Sequence, residues 1–119
     1  LMSRLPAAPK VATWTSADAD AMARRALAGL VQMTKSMALE LADYGIRVNA
    51  ICPGYILTDI NRDYFDTEGG KRMIQRIPQK KLGAIEDLLG PLLLLTSDAS
   101  RYMTGSVISV DGGHAVSKL

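Results

Sequence analysis

The sequence predicts an α/β fold in which parallel strands are covered by helices, and three observations carry that reading. Helical and strand patterns alternate along the chain in the order helix, strand, helix, strand. The two strand segments, Ile46–Cys52 and Ser106–Val110, are short, β-branched and mostly apolar, as strands buried on both faces are. Each ends in a turn signal, Pro53-Gly54 for the first and Asp111-Gly112-Gly113 for the second.

The elements follow in order. Residues 1–13 hold Pro6, Pro9 and apolar residues without a period, which predicts an extended or looping segment. From Ser16 to Tyr44, the residues Leu27, Leu30, Val31, Thr34, Ala38 and Leu41 recur at steps of three and four and define one helical face. Ser16 or Asp18 can cap its start, and Gly45 stands where a left-handed C-terminal cap is wanted. Residues 55–82 mix Asp59, Asn61, Asp63, Asp66, Gly69 and Gly70 with a helical patch over Lys71–Ile77 that Pro78 ends, a composition suited to a mobile lid or substrate loop. A second helix is expected over Ile85–Thr96, with Glu86 and Asp87 in its first turn, where the dipole favours negative charge, and a kink at Pro91.

Composition narrows the function classes. The 119 residues are 48% hydrophobic and 22% charged, the makeup of a globular chain of at most one domain. A net charge of +2 without a concentrated basic stripe argues against nucleic acid and anionic membranes as partners. Arg24-Arg25 and Lys80-Lys81 are isolated basic pairs without interleaved aromatics, which points the same way. The longest purely apolar run, Leu92–Leu95, is far short of the roughly 18 residues that span a bilayer. Cys52 is the only cysteine, so no internal disulfide forms, and a reducing, cytoplasmic setting is expected. Two strands cannot make a stable sheet alone, so residues 1–119 are expected to be the second half of a domain, with the first half absent.

Four strings stand in order and at separations that resemble the C-terminal half of the short-chain dehydrogenase/reductase family. They are Thr34-Lys35-Ser36-Met37-Ala38-Leu39-Glu40-Leu41-Ala42, Gly45-Ile46-Arg47-Val48-Asn49-Ala50-Ile51, Pro53-Gly54-Tyr55-Ile56-Leu57-Thr58, and Thr104-Gly105-Ser106-Val107-Ile108-Ser109-Val110-Asp111-Gly112-Gly113. Ser97-Asp98-Ala99-Ser100 with Tyr102 adds to the match, which runs over residues 27–113. Within the family, Ser3–Thr15 looks most like the gluconate 5-dehydrogenase and polyol dehydrogenase branch.

The resemblance implies the C-terminal part of a doubly wound Rossmann-type parallel sheet with flanking helices. It also implies NAD or NADP as hydride carrier, a polar small-molecule alcohol or ketone, such as a sugar acid or polyol, as substrate, and assembly with further copies or with other subunits of the family. In such a fold ligands sit at the carboxyl ends of the strands, which places Pro53, Gly54, Ile56 and Thr58 at the cofactor. Pro-Gly alone reads more readily as the plain end of a strand, but Asn49 before it and Thr58 after it reverse that order in favour of the cofactor. The long helix, residues 18–44, and the segment Val107–Val116 would be the subunit contacts.

The family's chemistry uses a tyrosine with a lysine four residues on. Four residues after Tyr44, Tyr55, Tyr64 and Tyr102 stand Val48, Asp59, Glu68 and Ser106, so the pair is absent from this sequence. Counting back from Ala26-Leu27-Ala28-Gly29-Leu30 puts the two positions on Asp20 and Arg24, whereas anchoring on Pro9-Lys10-Val11-Ala12-Thr13, the preferred register, puts them on Trp14 and Asp18. An indole N–H does not ionise near neutral pH, and a carboxylate titrates far below an alcohol. Ser3, eleven residues before Trp14, is the candidate for the catalytic serine, with a plain loop hydroxyl as its alternative. No glycine-rich phosphate loop occurs among the ten glycines. The runner-up function is therefore a non-catalytic Rossmann-like module that pairs with a full-length relative.

Other candidates carry less. Cys52 reads as core filler, and His114, the only histidine, has no evident Cys partner for nucleophilic chemistry. Asp59, Asp63, Asp66 and Glu68 do not have the spacing of a calcium loop, and no metal is expected. Met33 and Met37 read as packing residues on the long helix, and Tyr64-Phe65 as either a cover over substrate or a local anchor.

Overall fold

The computed structural model describes residues 16–117, with side chains from Arg24 onward. The chain divides into two compact units, Leu1–Leu30 and Val31–Leu119. Of the first, the described part is helix: α1 runs over Ser16–Leu41 and crosses into the second unit. The elements that follow α1 all lie in the second unit.

The end of α1 is closed as the sequence predicts. A 3₁₀ turn over Ala42–Tyr44 leads to Gly45 at φ 71°, whose N–H donates to the Ala42 carbonyl at 2.9 Å, while the Ile46 N–H reaches back to Leu41 at 3.2 Å. The predicted helical face is only partly covered. Ala38 is buried and touches the space above Gly105, and Val31, Thr34 and Leu41 are half-buried, but Leu27 and Leu30 remain more than half exposed.

The sheet among the described residues is one parallel pair, β1 (Ala50–Pro53) and β2 (Val107–Val110), in the register Ala50↔Val107 to Pro53↔Val110. Both strands start later than the sequence suggests, β1 by four residues and β2 by one. Side chains supplement the backbone there, where the Gly105 N–H donates to the Val48 carbonyl at 2.7 Å and the Ala50 N–H to the Ser106 carbonyl at 2.9 Å. Thr104 Oγ1 accepts the Val48 N–H at 3.1 Å, and Asn49 accepts the Ser106 N–H at 3.0 Å while donating to the Met103 carbonyl at 3.0 Å. These bonds hold the two chains together before regular pairing begins.

The segment between the strands is more helical than predicted. α2 (Arg62–Phe65) precedes α3 (Glu68–Arg76), which starts three residues before the expected patch and carries Gly69 and Gly70 within it. Thr67 caps α3 by accepting the Gly70 N–H at 3.1 Å, and Gly70 is required because a Cβ there would stand 2.3 Å from the Tyr64 carbonyl oxygen. The glycines that read as loop serve close packing of two helices. The second predicted helix is a 3₁₀ turn, Ile85–Leu88, followed by α4 (Leu89–Thr96). Pro91 falls in the first turn of α4, where its missing N–H costs nothing, so the expected kink is replaced by a junction between two short helices.

Three apolar side chains are buried among the described residues: Ala38, Phe65 and Ile77. Ile77 lies under the turn after β2, since a Cβ on Gly112 would meet its Cγ2 at 2.9 Å. Among the described residues no helix is long and apolar enough to cross a membrane.

Candidate functional site

The carboxyl ends of β1 and β2 meet at Gly54 and Asp111. The Gly54 N–H donates to the Val110 carbonyl at 2.9 Å, and a Cβ on Gly54 would stand 2.7 Å from both Cα and Cβ of Asp111. Glycine is therefore needed for the approach of the two strand ends. Asp111 in turn closes its own turn, its carboxylate accepting the Gly113 N–H at 2.9 Å and the Ala115 N–H at 2.8 Å.

Beyond Gly54 the chain makes a second, isolated parallel pairing, Ile56 with Gly83. Leu57 donates to the Gly83 carbonyl at 2.8 Å and Gly83 to the Tyr55 carbonyl at 2.9 Å. In such a pairing the flanking residues bond to the partner, so the N–H and C=O of Ile56 face the other way. Its carbonyl accepts from Asn61 Nδ2 at 2.8 Å, and among the described residues nothing accepts from its N–H. The Thr58 N–H is engaged, donated to Asn61 Oδ1 at 2.8 Å, so of its amide and its hydroxyl only the hydroxyl stands without a bond among the described residues.

A cavity of about 380 Å³ opens on the Gly83 side of this segment, between Tyr55 and Ile56, the loop from Ile77 to Gly83, and the strand end at Ser109–Gly113. Its floor is tied together by backbone: Gln79 donates to the Gly112 carbonyl at 3.2 Å, and Lys80, at φ 56°, closes a turn onto Ile77. The Lys80 ammonium also caps the end of α3 at the Gln75 carbonyl.

The aromatic residues are arranged as an anchor. Phe65 is buried, edge-on to Tyr55 at 6.1 Å and to Tyr64 at 5.2 Å, and Tyr55 meets His114 at 5.2 Å. Of the Tyr64-Phe65 pair, Phe65 is thus the local anchor, while Tyr64 is half-exposed. His114 packs by its ring, and its Nδ1 is buried without a hydrogen-bond partner among the described residues.

Residues that the sequence reading passed over bear much of this framework. Arg47 donates to Ser100 Oγ at 2.9 Å and to the carbonyls of Leu95, Ser97 and Met103 at 3.0, 3.3 and 3.3 Å, capping α4 and pinning the turn after it. The signal was present: Arg47 and Asn49 are polar positions inside an otherwise apolar strand pattern, and such positions must find partners. Cys52 sits half-buried in β1, paired in register with Ser109. Ser3 and Trp14 lie outside the described residues, as do the side chains of Asp18 and Asp20; Arg24 and Arg25 are exposed on α1. Asp59 and Glu68 form exposed i,i+3 ion pairs with Arg62 and Lys71.

Parallel strands with flanking helices, carrying a proline-glycine bend at a carboxyl end, define part of a Rossmann-type α/β architecture. Residues 11–115 match the family described as Enoyl-(Acyl carrier protein) reductase, and the chain belongs to the short-chain dehydrogenase/reductase family. It is 49% identical over 87 residues to the L-rhamnose 1-dehydrogenase (NAD(P)(+)) of Azotobacter vinelandii, a match covering 72% of this chain and 34% of that one. It is 47% identical over 89 residues to a sorbose reductase of Candida albicans, covering 75% and 31%. Among solved structures, the gluconate 5-dehydrogenase from Burkholderia cenocepacia in complex with NADP and tartrate superposes with a TM-score of 0.69 at 32% identity, covering 75% of this chain and 35% of that one. The chain thus spans about a third of the length of these relatives.

Proposed function

We propose that this chain is the nicotinamide-side portion of an NAD(P)-dependent oxidoreductase that acts on a hydroxyl or keto group of a polar small molecule such as a sugar acid or polyol. The observation that carries the reading is the Ile56 N–H, which faces away from Gly83 at the carboxyl end of β1 without an acceptor among the described residues. A backbone donor so placed suits the carboxamide of a nicotinamide ring, and the free hydroxyl of Thr58 lies two residues on. Pro53 and Gly54 bring the chain there. The dinucleotide supplies hydride transfer when bound. Binding and orientation are what these residues contribute, since the sequence holds neither a Tyr-x-x-x-Lys pair to move the alcohol proton nor a glycine-rich loop for the pyrophosphate. The similarity to sugar dehydrogenases supports the substrate class.

A second reading, a non-catalytic module that pairs with another copy or a full-length family member, is favoured by the exposed apolar residues. Leu89, Leu92, Leu93 and Leu94 of α4 all stand between 37% and 65% exposed. Thermal unfolding with and without millimolar NAD and NADP separates the two. A dinucleotide that binds only the folded chain raises the midpoint, by about 2.7 kcal/mol of added stability at a hundredfold excess over its Kd. An indifferent midpoint supports the pairing module.

A further inference from the structure

We propose that Asn61 is a positioning residue for the cofactor: it acts through the backbone at Ile56 and touches no cofactor atom itself. The proposal rests on the reading of Ile56 as a nicotinamide contact. Three of the amides from Gly54 to Thr58 are consumed inside the chain: Gly54 by the Val110 carbonyl, Leu57 by the Gly83 carbonyl, and Thr58 by Asn61 Oδ1. The N–H groups of Tyr55 and Ile56 are left without an acceptor among the described residues; that of Ile56 lies on the face turned from Gly83, its own peptide pinned by the Gly83 N–H on the Tyr55 carbonyl at 2.9 Å, and its direction depends further on what fixes the peptide that follows. The next peptide unit is held at both ends. Its N–H, from Leu57, bonds Gly83 at 2.8 Å, and its C=O, from Ile56, accepts from Asn61 Nδ2 at 2.8 Å. The same carboxamide accepts the Thr58 N–H at 2.8 Å. One planar side chain thus clips both edges of the bend, its carboxamide bringing an acceptor and a donor to it at once. Asn61 is itself fixed, half-buried, with its N–H directed at the Thr58 carbonyl at 3.3 Å and the Arg62 N–H on that same carbonyl at 3.1 Å.

The discriminating variant is Asn61→Asp. A carboxylate keeps the bond from Thr58 but sets an oxygen against the Ile56 carbonyl, so the bend survives while its grip on Ile56 is lost. Cofactor affinity is measured on the full chain by NMR titration with NAD and with NADP, and the unfolding midpoint is measured without ligand. Asn61→Asp is expected to lower the midpoint by less than Asn61→Ala does, since the bond from Thr58 is kept, and to weaken dinucleotide binding about tenfold, the scale of one lost oriented hydrogen bond. Asn61→Ala is expected to weaken it at least as much and to lower the midpoint too. Wild-type affinity in Asn61→Asp overturns the positioning role and leaves the cofactor reading intact. A midpoint in Asn61→Asp as low as that of Asn61→Ala makes the residue structural only and overturns the proposal as well. A wild-type chain that binds neither dinucleotide overturns the cofactor reading, and the role of Asn61 falls with it.

Discussion

At the scale of single residues, the molecule depends on a few groups that satisfy backbone where regular structure stops. Arg47 is the clearest case, with four acceptors and, among the described residues, no carboxylate: its charge faces carbonyls at the end of α4 and the turn beyond. Arg47→Ala is expected to cost about 2 kcal/mol, because it orphans part-buried acceptors, and Arg47→Lys to recover little, since an ammonium cannot span that fork. Denaturant unfolding checks both; a loss below about 0.5 kcal/mol in Arg47→Ala would show the network to be idle. Gly54→Ala should destabilise by about 1–3 kcal/mol, because its Cβ would collide with the backbone of Asp111 rather than with a movable side chain. His114→Phe should do the reverse. It keeps the ring contact with Tyr55 and removes a buried nitrogen that has no partner among the described residues, so a gain of about 1 kcal/mol is expected in the same assay.

At the scale of elements, what was legible in the sequence was whatever local chemistry decides. The C-cap at Gly45, the two strands and the turns that end them all follow from residues within a few positions of each other. Elements set by tertiary contact were not legible. Gly69 and Gly70 signal a loop by propensity, yet they lie in α3, because Gly70 must pass within reach of Tyr64 and Phe65. Likewise Asn61 reads as one polar residue among several, and its clip over Ile56 and Thr58 becomes visible only when the bend is formed. For α3 the cap is decisive: Thr67→Ala should lower stability by about 1 kcal/mol, whereas Thr67→Ser should be near neutral. Equal effects of the two would show that the hydroxyl does not cap the helix.

At the scale of the whole molecule, two paired strands and three buried apolar side chains among the described residues leave much apolar surface on α1 and α4 open to water. Such surface drives association, and sedimentation velocity should show concentration-dependent species larger than a monomer. Placing a charge on that surface at Leu93, which is 65% exposed, should shift the distribution toward monomer without unfolding the chain. The central proposal concerns function rather than assembly, namely that the carboxyl end of β1 carries a nicotinamide contact centred on Ile56. An amide-resolved NMR titration of the chain with NAD and NADP tests it most directly. The account predicts shifts concentrated at Ile56 and its neighbours Gly54 and Thr58, while the amides of α4 stay in place. A titration that leaves Ile56 unmoved, or that moves only residues remote from the end of β1, would contradict it.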